Sequence, residues 1–265
     1  MNRVALVTGG SSGIGAAAAT ALVRAGFKVY ELSRREKSDI NNGAVHISAD
    51  VTDEAQAANA VKRIIDIEGK IDVLINCAGY GISGAVEFTK LSDARRQLDV
   101  NLFGIFIMSK TVIPYMRTMG HGRIINVSSV AACVPIPFQA WYSISKAGIN
   151  SLTLALANEL KQFNIDVCTV MPGDTRTGFT NARIKEPDGD EVYGGVIARS
   201  VNRMEKDEQG GGSPEKVGRA ICRLATKRKA RLITTVGLQY KLVVLLGKFL
   251  PAGLSNPIVR LLYAK

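Results

Sequence analysis

Val4-Ala5-Leu6-Val7-Thr8-Gly9-Gly10-Ser11-Ser12-Gly13-Ile14-Gly15 is the stretch that decides the fold. A short apolar run, read as a buried strand over 4–7, passes into a glycine-rich turn. An alanine-rich helical stretch over 16–25 follows at once. Glycines at such a turn bend the chain tightly and let its backbone approach a pyrophosphate, whose charge is met by the N-terminus of the next helix. A glycine-rich turn alone is a weak signal; the strand before it and the helix after it supply the context that gives it meaning. The spacing is T-G-x-x-x-G-x-G rather than G-x-G-x-x-G.

Outward from this turn, β-branched runs alternate with helical patterns. Strands are expected at 28–32, 45–47, 72–75, 123–127 and 166–170, with a further one at 230–235. Helices are expected at 54–68, 93–119 and 142–163. Strands separated by helices predict an α/β fold: a Rossmann-type, doubly wound parallel sheet of about seven strands with helices on both faces. No Pro/Ser-rich linker precedes residue 174 and no internal repeat is found, so residues 1–265 read as a single domain. Residues 174–213 break the pattern with a charge-rich stretch and Gly210-Gly211-Gly212-Ser213-Pro214. The pattern gives their helices only weak support, and an excursion of this length reads as a substrate lid.

The 265 residues carry a formal charge of +11, from 34 Lys+Arg against 23 Asp+Glu, and are 46% hydrophobic and 22% charged. That apolar content excludes intrinsic disorder. The excess is uneven: residues 214–265 hold 11 basic side chains and the single acid Glu215, whereas the first 213 are balanced to +1. Cys77, Cys133, Cys168 and Cys222 form no C-x-x-C pair, and two histidines do not complete a metal set, so no metal site is expected and the thiols read as free in a reducing compartment. The apolar run at 4–7 is too short for a secretory signal, and the greasiest stretch, 242–247, is bounded by Lys241 and Lys248, far short of a membrane span. A cytoplasmic chain, peripheral at most to a membrane, is expected.

Further motifs follow the glycine turn in order: Asp50-Val51, Asn76-Cys77-Ala78-Gly79, Asn101, Ser128-Ser129, Tyr142-x-x-x-Lys146 and Pro172-Gly173. Over about residues 3–180 the chain resembles the single-domain short-chain dehydrogenase/reductase family. Thr8, Gly9, Ser11, Ser12, Gly13, Ile14 and Gly15 fall on the family's cofactor turn and Asp50 and Val51 on its adenine-side pair. Asn76, Ala78 and Gly79 fall on its N-N-A-G, with Cys77 replacing the second asparagine. Gly79 and Ala78 are expected to allow close approach to the adenine ribose. The resemblance places Asn101 at a water in a proton relay and Lys146 at the nicotinamide ribose. It also places Thr175 and Thr177, after Pro172 and Gly173, near the nicotinamide carboxamide or the phosphates.

The second strand ends in Ser33-Arg34-Arg35. A carboxylate there would accept hydrogen bonds from a ribose 2′-OH and repel a 2′-phosphate, whereas a guanidinium fork matches a phosphate. NADP(H) is therefore the expected cofactor, with Arg34 as the main clamp, Arg35 beside it, and Ser33 and Ser11 as further donors. Tyr142 and Lys146 stand at i and i+4 on one helical face. An ammonium there is expected to lower the tyrosine's pKa from its ordinary ~10 toward a useful acid/base. Ser129, thirteen residues before Tyr142, offers its hydroxyl to the substrate oxygen. Tyr142→Phe should keep cofactor binding and lose turnover.

The substrate side reads Val130-Ala131-Ala132-Cys133-Val134-Pro135-Ile136-Pro137-Phe138, without a charge. Val130, Cys133 and Phe138, with Ser129, Tyr142 and Phe179, are the candidate substrate contacts; the same segment also fits ordinary core or subunit contact. Residues 236–265 interleave apolar runs with isolated cations. Such a tail suits an anionic membrane surface, but equally a helix packed on its own domain or on a second subunit. The cations lie among aliphatics rather than stacking aromatics, so no nucleic-acid partner is expected. The leading reading is an NADP(H)-dependent oxidoreductase for a small lipophilic carbonyl or alcohol of steroid-like, retinoid or fatty-acyl type, working as a homo-dimer or homo-tetramer. Its alternatives are a 3-oxoacyl-thioester reductase, whose basic tail would meet an acidic carrier protein, and a non-catalytic NADP-binding sensor.

Overall fold

Val4 and Leu6 point to one side of the first strand, β1 (Val4–Thr8), while Ala5 and Val7 point to the other, and all four are buried. A strand apolar on both faces has to be covered on both, which is the condition that selects a parallel sheet between two helical layers. The computed structural model, which describes residues 3–36, 42–186 and 188–264, shows that arrangement.

β1 runs through the glycine turn into α1 (Gly13–Arg24), then β2 (Lys28–Ser33), β3 (Val45–Ser48), α2 (Glu54–Glu68), β4 (Val73–Asn76) and a two-residue strand β5 (Ile82–Ser83). α3 (Leu91–Leu98) and α4 (Gly104–Met119) lead to β6 (Gly122–Val127), α5 (Ala140–Glu159) and β7 (Ile165–Pro172). After α6 (Phe179–Ala182), β8 (Ile184–Lys185), α7 (Val196–Gln209) and α8 (Pro214–Thr226), the chain adds β9 (Ile233–Val236) and ends in α9 (Leu238–Phe249) and α10 (Ala252–Tyr263). Seven strands form one parallel sheet in the order β3-β2-β1-β4-β6-β7-β9.

One face of this sheet packs Ala57, Val61 and Ile64 of α2 and Met108, Val112 and Met116 of α4. The other packs Ala18 and Leu22 of α1 and Val217, Ile221 and Leu224 of α8. α1 and α8 approach closely because Gly218 has no side chain: a Cβ there would stand 2.6 Å from the Ala17 backbone. Asp53 caps α2 with its carboxylate on the N–H groups of Ala55 and Gln56.

Three expectations change. The helix expected over 93–119 is interrupted by a turn of π-helix, Asp99–Phe103, between α3 and α4. The 174–213 excursion is largely ordered, because α7 buries Ile197, Ser200, Val201 and Met204, at i, i+3, i+4 and i+7, and leaves Arg199, Arg203 and Lys206 exposed. Position 187 within it lies outside the described residues. The tail is two helices parted at Pro251, which cannot donate a helical hydrogen bond.

Candidate active site

The carboxyl ends of β1, β2, β4, β6 and β7 bring the predicted residues to one edge, where open α/β sheets bind ligands. The glycine turn is tightly built there. Gly9 has φ +66°, and a Cβ on it would sit 2.9 Å from the Ala78 Cα; a Cβ on Gly15 would overlap the Gly9 carbonyl oxygen. Ser12 starts α1 from extended backbone without capping it through its own side chain, and Ile14 packs toward the core. Thr177 stands over this turn, its Cβ 3.3 Å from where a Gly13 Cβ would lie, which places it where phosphates would be met. Thr175 donates to the Gly173 carbonyl at 2.9 Å.

Two residues of the expected cofactor motifs have side chains bonded within the protein. Thr8 is buried, and its hydroxyl accepts the N–H groups of Cys77 and Ala78 at 3.0 and 3.1 Å, pinning the loop after β4 to the glycine turn. Asn76 is also buried, and donates to Asn126 Oδ1 at 2.9 Å and Ser109 Oγ at 3.2 Å, tying β4 to β6. Both side chains point into the protein because the strand ends there are still fully covered.

At the end of β2, Arg34 and Arg35 are exposed, and Ser33 Oγ is buried without a partner. Arg34 lines a cavity of about 490 Å³ with Asp50, Thr52, Arg96 and Phe103. Asp50 is held by Thr52, whose N–H and hydroxyl both donate to it, and Val51 packs against Gly104 at the start of α4. The carboxylate of β2, Glu31, is turned away beneath Gly10, where His46 pairs with it; the other ring nitrogen of His46 lies 2.8 Å from the Arg35 carbonyl. Exposed guanidinium groups at the strand end (Arg35 reaching the Ser11 carbonyl at 3.5 Å), a partnerless serine hydroxyl and glycines that admit no side chain fit a dinucleotide bearing phosphates.

The catalytic candidates converge a few ångströms away. Lys146 is buried at 6% exposure and donates from Nζ to the Val127 carbonyl at 3.0 Å. Its ammonium lies 5.5 Å from the centroid of the Tyr142 ring. The π-turn swings Asn101 inward, where Nδ2 donates to the Tyr80 carbonyl (2.9 Å) and Ser145 Oγ (3.1 Å), and Oδ1 accepts the Tyr80 N–H (3.0 Å). A Cβ on Gly79 would meet both Asn101 Oδ1, at 3.0 Å, and Lys146 Nζ, at 3.8 Å. Ser129 accepts the Ala131 N–H, which fixes its rotamer, and its hydroxyl favours the ionised form of the neighbouring phenol.

Electrostatics here corrects one expectation. Burial pushes the Tyr142 phenol up to about 12, and it is the Ser129 hydroxyl, with Arg183 further off, that pulls the other way. The same burial lowers Lys146 from 10.5 to about 8. Burial thus sets the ionisation of both groups, and the phenol stays protonated and poised to donate.

On the substrate side, Phe179 packs on Tyr142 with ring centroids 5.5 Å apart, and Phe138 meets Tyr193 edge-on at 5.7 Å. Phe138 belongs to an apolar cluster with Ile136, Ile197, Met204 and Tyr263 beneath α7 and α10. Val130 is buried beside Ser129, and Cys133 lies near Lys248 of α9. Sequence reasoning missed Arg183 and Asp174. Arg183 pairs with Glu208, stacks 5.6 Å over Phe179, and keeps Nε and Nη1 buried without partners. Asp174 accepts the Tyr240 hydroxyl at 2.8 Å, and Tyr240 covers Gly173. No local pattern marks either residue, since both fall in a stretch rich in charges of both signs.

Comparison with known proteins decides the family. The profile described as short chain dehydrogenase matches residues 3–188. The chain belongs to the short-chain dehydrogenase/reductase family. A relative from Bacteroides thetaiotaomicron named 3-ketodihydrosphingosine reductase is 38% identical over 265 residues, covering 99% of this chain and 98% of that one. A 3-oxoacyl-[acyl-carrier-protein] reductase from Synechocystis is 35% identical over 88% of this chain and 92% of its own. A solved short-chain dehydrogenase from Streptomyces avermitilis superposes with TM-score 0.84 at 30% identity, covering 98% of this chain and 95% of that one. This short-chain dehydrogenase/reductase is accordingly an oxidoreductase that interconverts carbonyl and alcohol and uses a nicotinamide cofactor.

Proposed function

We propose that the protein is an NADP(H)-dependent reductase of a long-chain lipophilic ketone, of the chemical kind named for its Bacteroides relative. The observation that carries this reading is the apolar character of the substrate side: Phe179 packs on the Tyr142 ring, and the uncharged segment after Ser129 runs through Ile136 and Phe138 into an apolar cluster with Tyr193 and Tyr263. The choice of NADP(H) rests on Arg34 and Arg35 beside a partnerless Ser33, with Glu31 turned away.

Ser11, Ser12 and the N–H groups opening α1 would hold the pyrophosphate; Arg34 and Ser33 would hold a 2′-phosphate, and Lys146 the nicotinamide ribose. When bound, the reduced nicotinamide supplies hydride to the carbonyl carbon. Tyr142, protonated at neutral pH because burial raises it, donates its phenolic proton to the carbonyl oxygen. The Ser129 hydroxyl donates a hydrogen bond to the same oxygen as negative charge develops there. Lys146 keeps its ammonium against the Tyr142 ring, and Asn101 holds the Tyr80 backbone that walls the site. Arg183, buried beside Tyr142's partner Phe179 with two unpartnered donors, would meet a polar head on the ketone once the lid opens. Exposed Leu91, Phe106, Ile144 and Leu154 on α3, α4 and α5 support a homo-oligomer joined through that side.

The test is cofactor consumption, with NADPH and with NADH, across a 3-keto sphingoid base, 3-oxoacyl thioesters, steroids and simple ketones. Preference for the sphingoid base or another long-chain ketone with NADPH supports the reading. Preference for acyl thioesters would move the protein to the second reading, which the Synechocystis relative and the basic tail favour. Cofactor binding without any turnover would leave a non-catalytic sensor.

A further inference from the structure

α9 carries Leu238, Leu242, Leu245 and Phe249 at i, i+4, i+7 and i+11, the spacing of one helical face, and all four are exposed. Leu238 and Phe249 are 84% and 78% exposed, so the stripe faces outward. α10 repeats the pattern with exposed Leu254, Ile258 and Leu261 at i, i+4 and i+7. On an amphipathic helix this stripe ordinarily meets the core; here other residues do so. Tyr240 of α9 covers Gly173 and bonds Asp174, and Gly247 lies against Val134. Tyr263 of α10 bonds Asp207 at 3.1 Å and joins the Phe138–Tyr193 cluster. These inner contacts fix which way both helices face.

We propose that the outer faces of α9 and α10 dock the protein onto an anionic lipid surface. Charge identifies the occupant. Lys241, Lys248 and Arg260 are exposed on the two helices, and the sequence holds no Asp or Glu between Lys216 and Lys265. A second copy seated on this face by two-fold symmetry would set those cations against their own equivalents, with no carboxylate of the tail to separate them. Anionic headgroups supply the complementary charge while acyl chains take the leucines and phenylalanine. Among the described residues no helix is long and apolar enough to cross a membrane, so the pair lies along the surface.

The same helices rim the substrate cleft: α9 touches the segment after Ser129 at Val134, and α10 touches α7. Docking therefore turns the mouth of the cleft to the lipid, where a long-chain ketone resides. That delivery role rests on the lipophilic-substrate reading; the docking does not.

The experiment is flotation of the full chain with vesicles of phosphatidylcholine alone or mixed with phosphatidylglycerol, at low and high salt. The wild type is expected to float with the mixed vesicles at low salt and bind neutral ones at least tenfold more weakly. Lys241→Gln/Lys248→Gln/Arg260→Gln should lose about fivefold per cation, on the order of 100-fold in all, and with it the anionic preference. Leu242→Gln/Leu245→Gln/Phe249→Gln should lose more than about 100-fold on both vesicle types while still reducing a water-soluble ketone. Wild type that is folded yet stays unbound to mixed vesicles at low salt overturns the proposal. So does sedimentation showing a dimer that the apolar triple variant dissolves, since the second copy would then be the occupant. Flotation needs no turnover, so a wrong substrate reading would show in the substrate panel and leave this result standing.

Discussion

Replacing Lys146 by Met should abolish turnover and at the same time stabilise the fold at neutral pH. Lys146 is buried at 6% exposure, and burial brings its pKa from 10.5 to about 8. At about 1.4 kcal/mol per pH unit, that fall means the folded state spends about 3 kcal/mol holding the ammonium at pH 7. Methionine removes this penalty. It also deletes the 3.0 Å bond to the Val127 carbonyl, which costs about 1–2 kcal/mol once that carbonyl is left unpaired. The net gain is about 1–2 kcal/mol, or roughly 2–6 °C in Tm for a chain of this size. The pH dependence separates this account from better packing alone. Between pH 8 and 10.5 the unfolded chain still binds a proton on this lysine that the folded chain has released. Wild-type stability therefore rises with pH through that window, relative to a variant with no such group. Thermal unfolding followed by circular dichroism, without cofactor, at neutral pH and at about pH 10 reads the difference. A variant less stable than wild type at neutral pH, or a stability gap that does not narrow on going to alkaline pH, would refute the reasoning.

Tyr142→Phe keeps the ring against Phe179 and removes only the proton donor, so cofactor titration by fluorescence should be unchanged while kcat falls by about 10²–10⁴. Retained turnover would remove Tyr142 from its role. Gly15→Ala forces a Cβ onto the Gly9 carbonyl and should abolish cofactor binding in equilibrium dialysis; undiminished binding would show that the turn is not the cradle. Arg34→Ala should raise KM for NADPH by roughly 10–100-fold, from a lost charge-assisted bond, and leave KM for NADH alone. An equal preference for both dinucleotides in wild type and variant would sink the assignment of the 2′-phosphate clamp. Arg183→Met should raise KM for a ketone with a polar head group more than for a plain alkyl ketone, with kcat for the plain ketone little changed; equal effects on both would make Arg183 a purely structural partner of Glu208.

Much of the site was legible because the chemistry of each residue is tied to short-range spacing. Tyr142 and Lys146 share a helical face by counting, and the glycine turn sits between a strand and a helix that periodicity alone reveals. Where the reading went astray, the deciding interaction joined distant parts of the chain. Thr8 and Asn76 fall on cofactor motifs, yet their partners at Cys77, Ala78, Ser109 and Asn126 turn them inward. The π-turn at Asn101 lies inside a pattern that reads as continuous helix, because it is the Tyr80 backbone and Ser145 that draw the asparagine in. The ionisation of Tyr142 depends chiefly on how much water the fold removes, which spacing along one helix does not reveal.

The opening stretch, 4–15, with the alternation of strands and helices that follows it, pointed to a parallel sheet covered on both faces and a phosphate cradle at its edge, since both follow from local periodicity and backbone sterics. The sequence also showed a basic, apolar tail over 236–265 whose pattern suits an amphipathic helix. It did not determine which way such a helix faces: a stripe of leucines spaced by three and four reads the same whether it meets a core or a solvent boundary. Only the tertiary structure decided that. Tyr240 and Tyr263 find their partners at Asp174 and Asp207, more than fifty residues away, and in doing so turn the leucines outward.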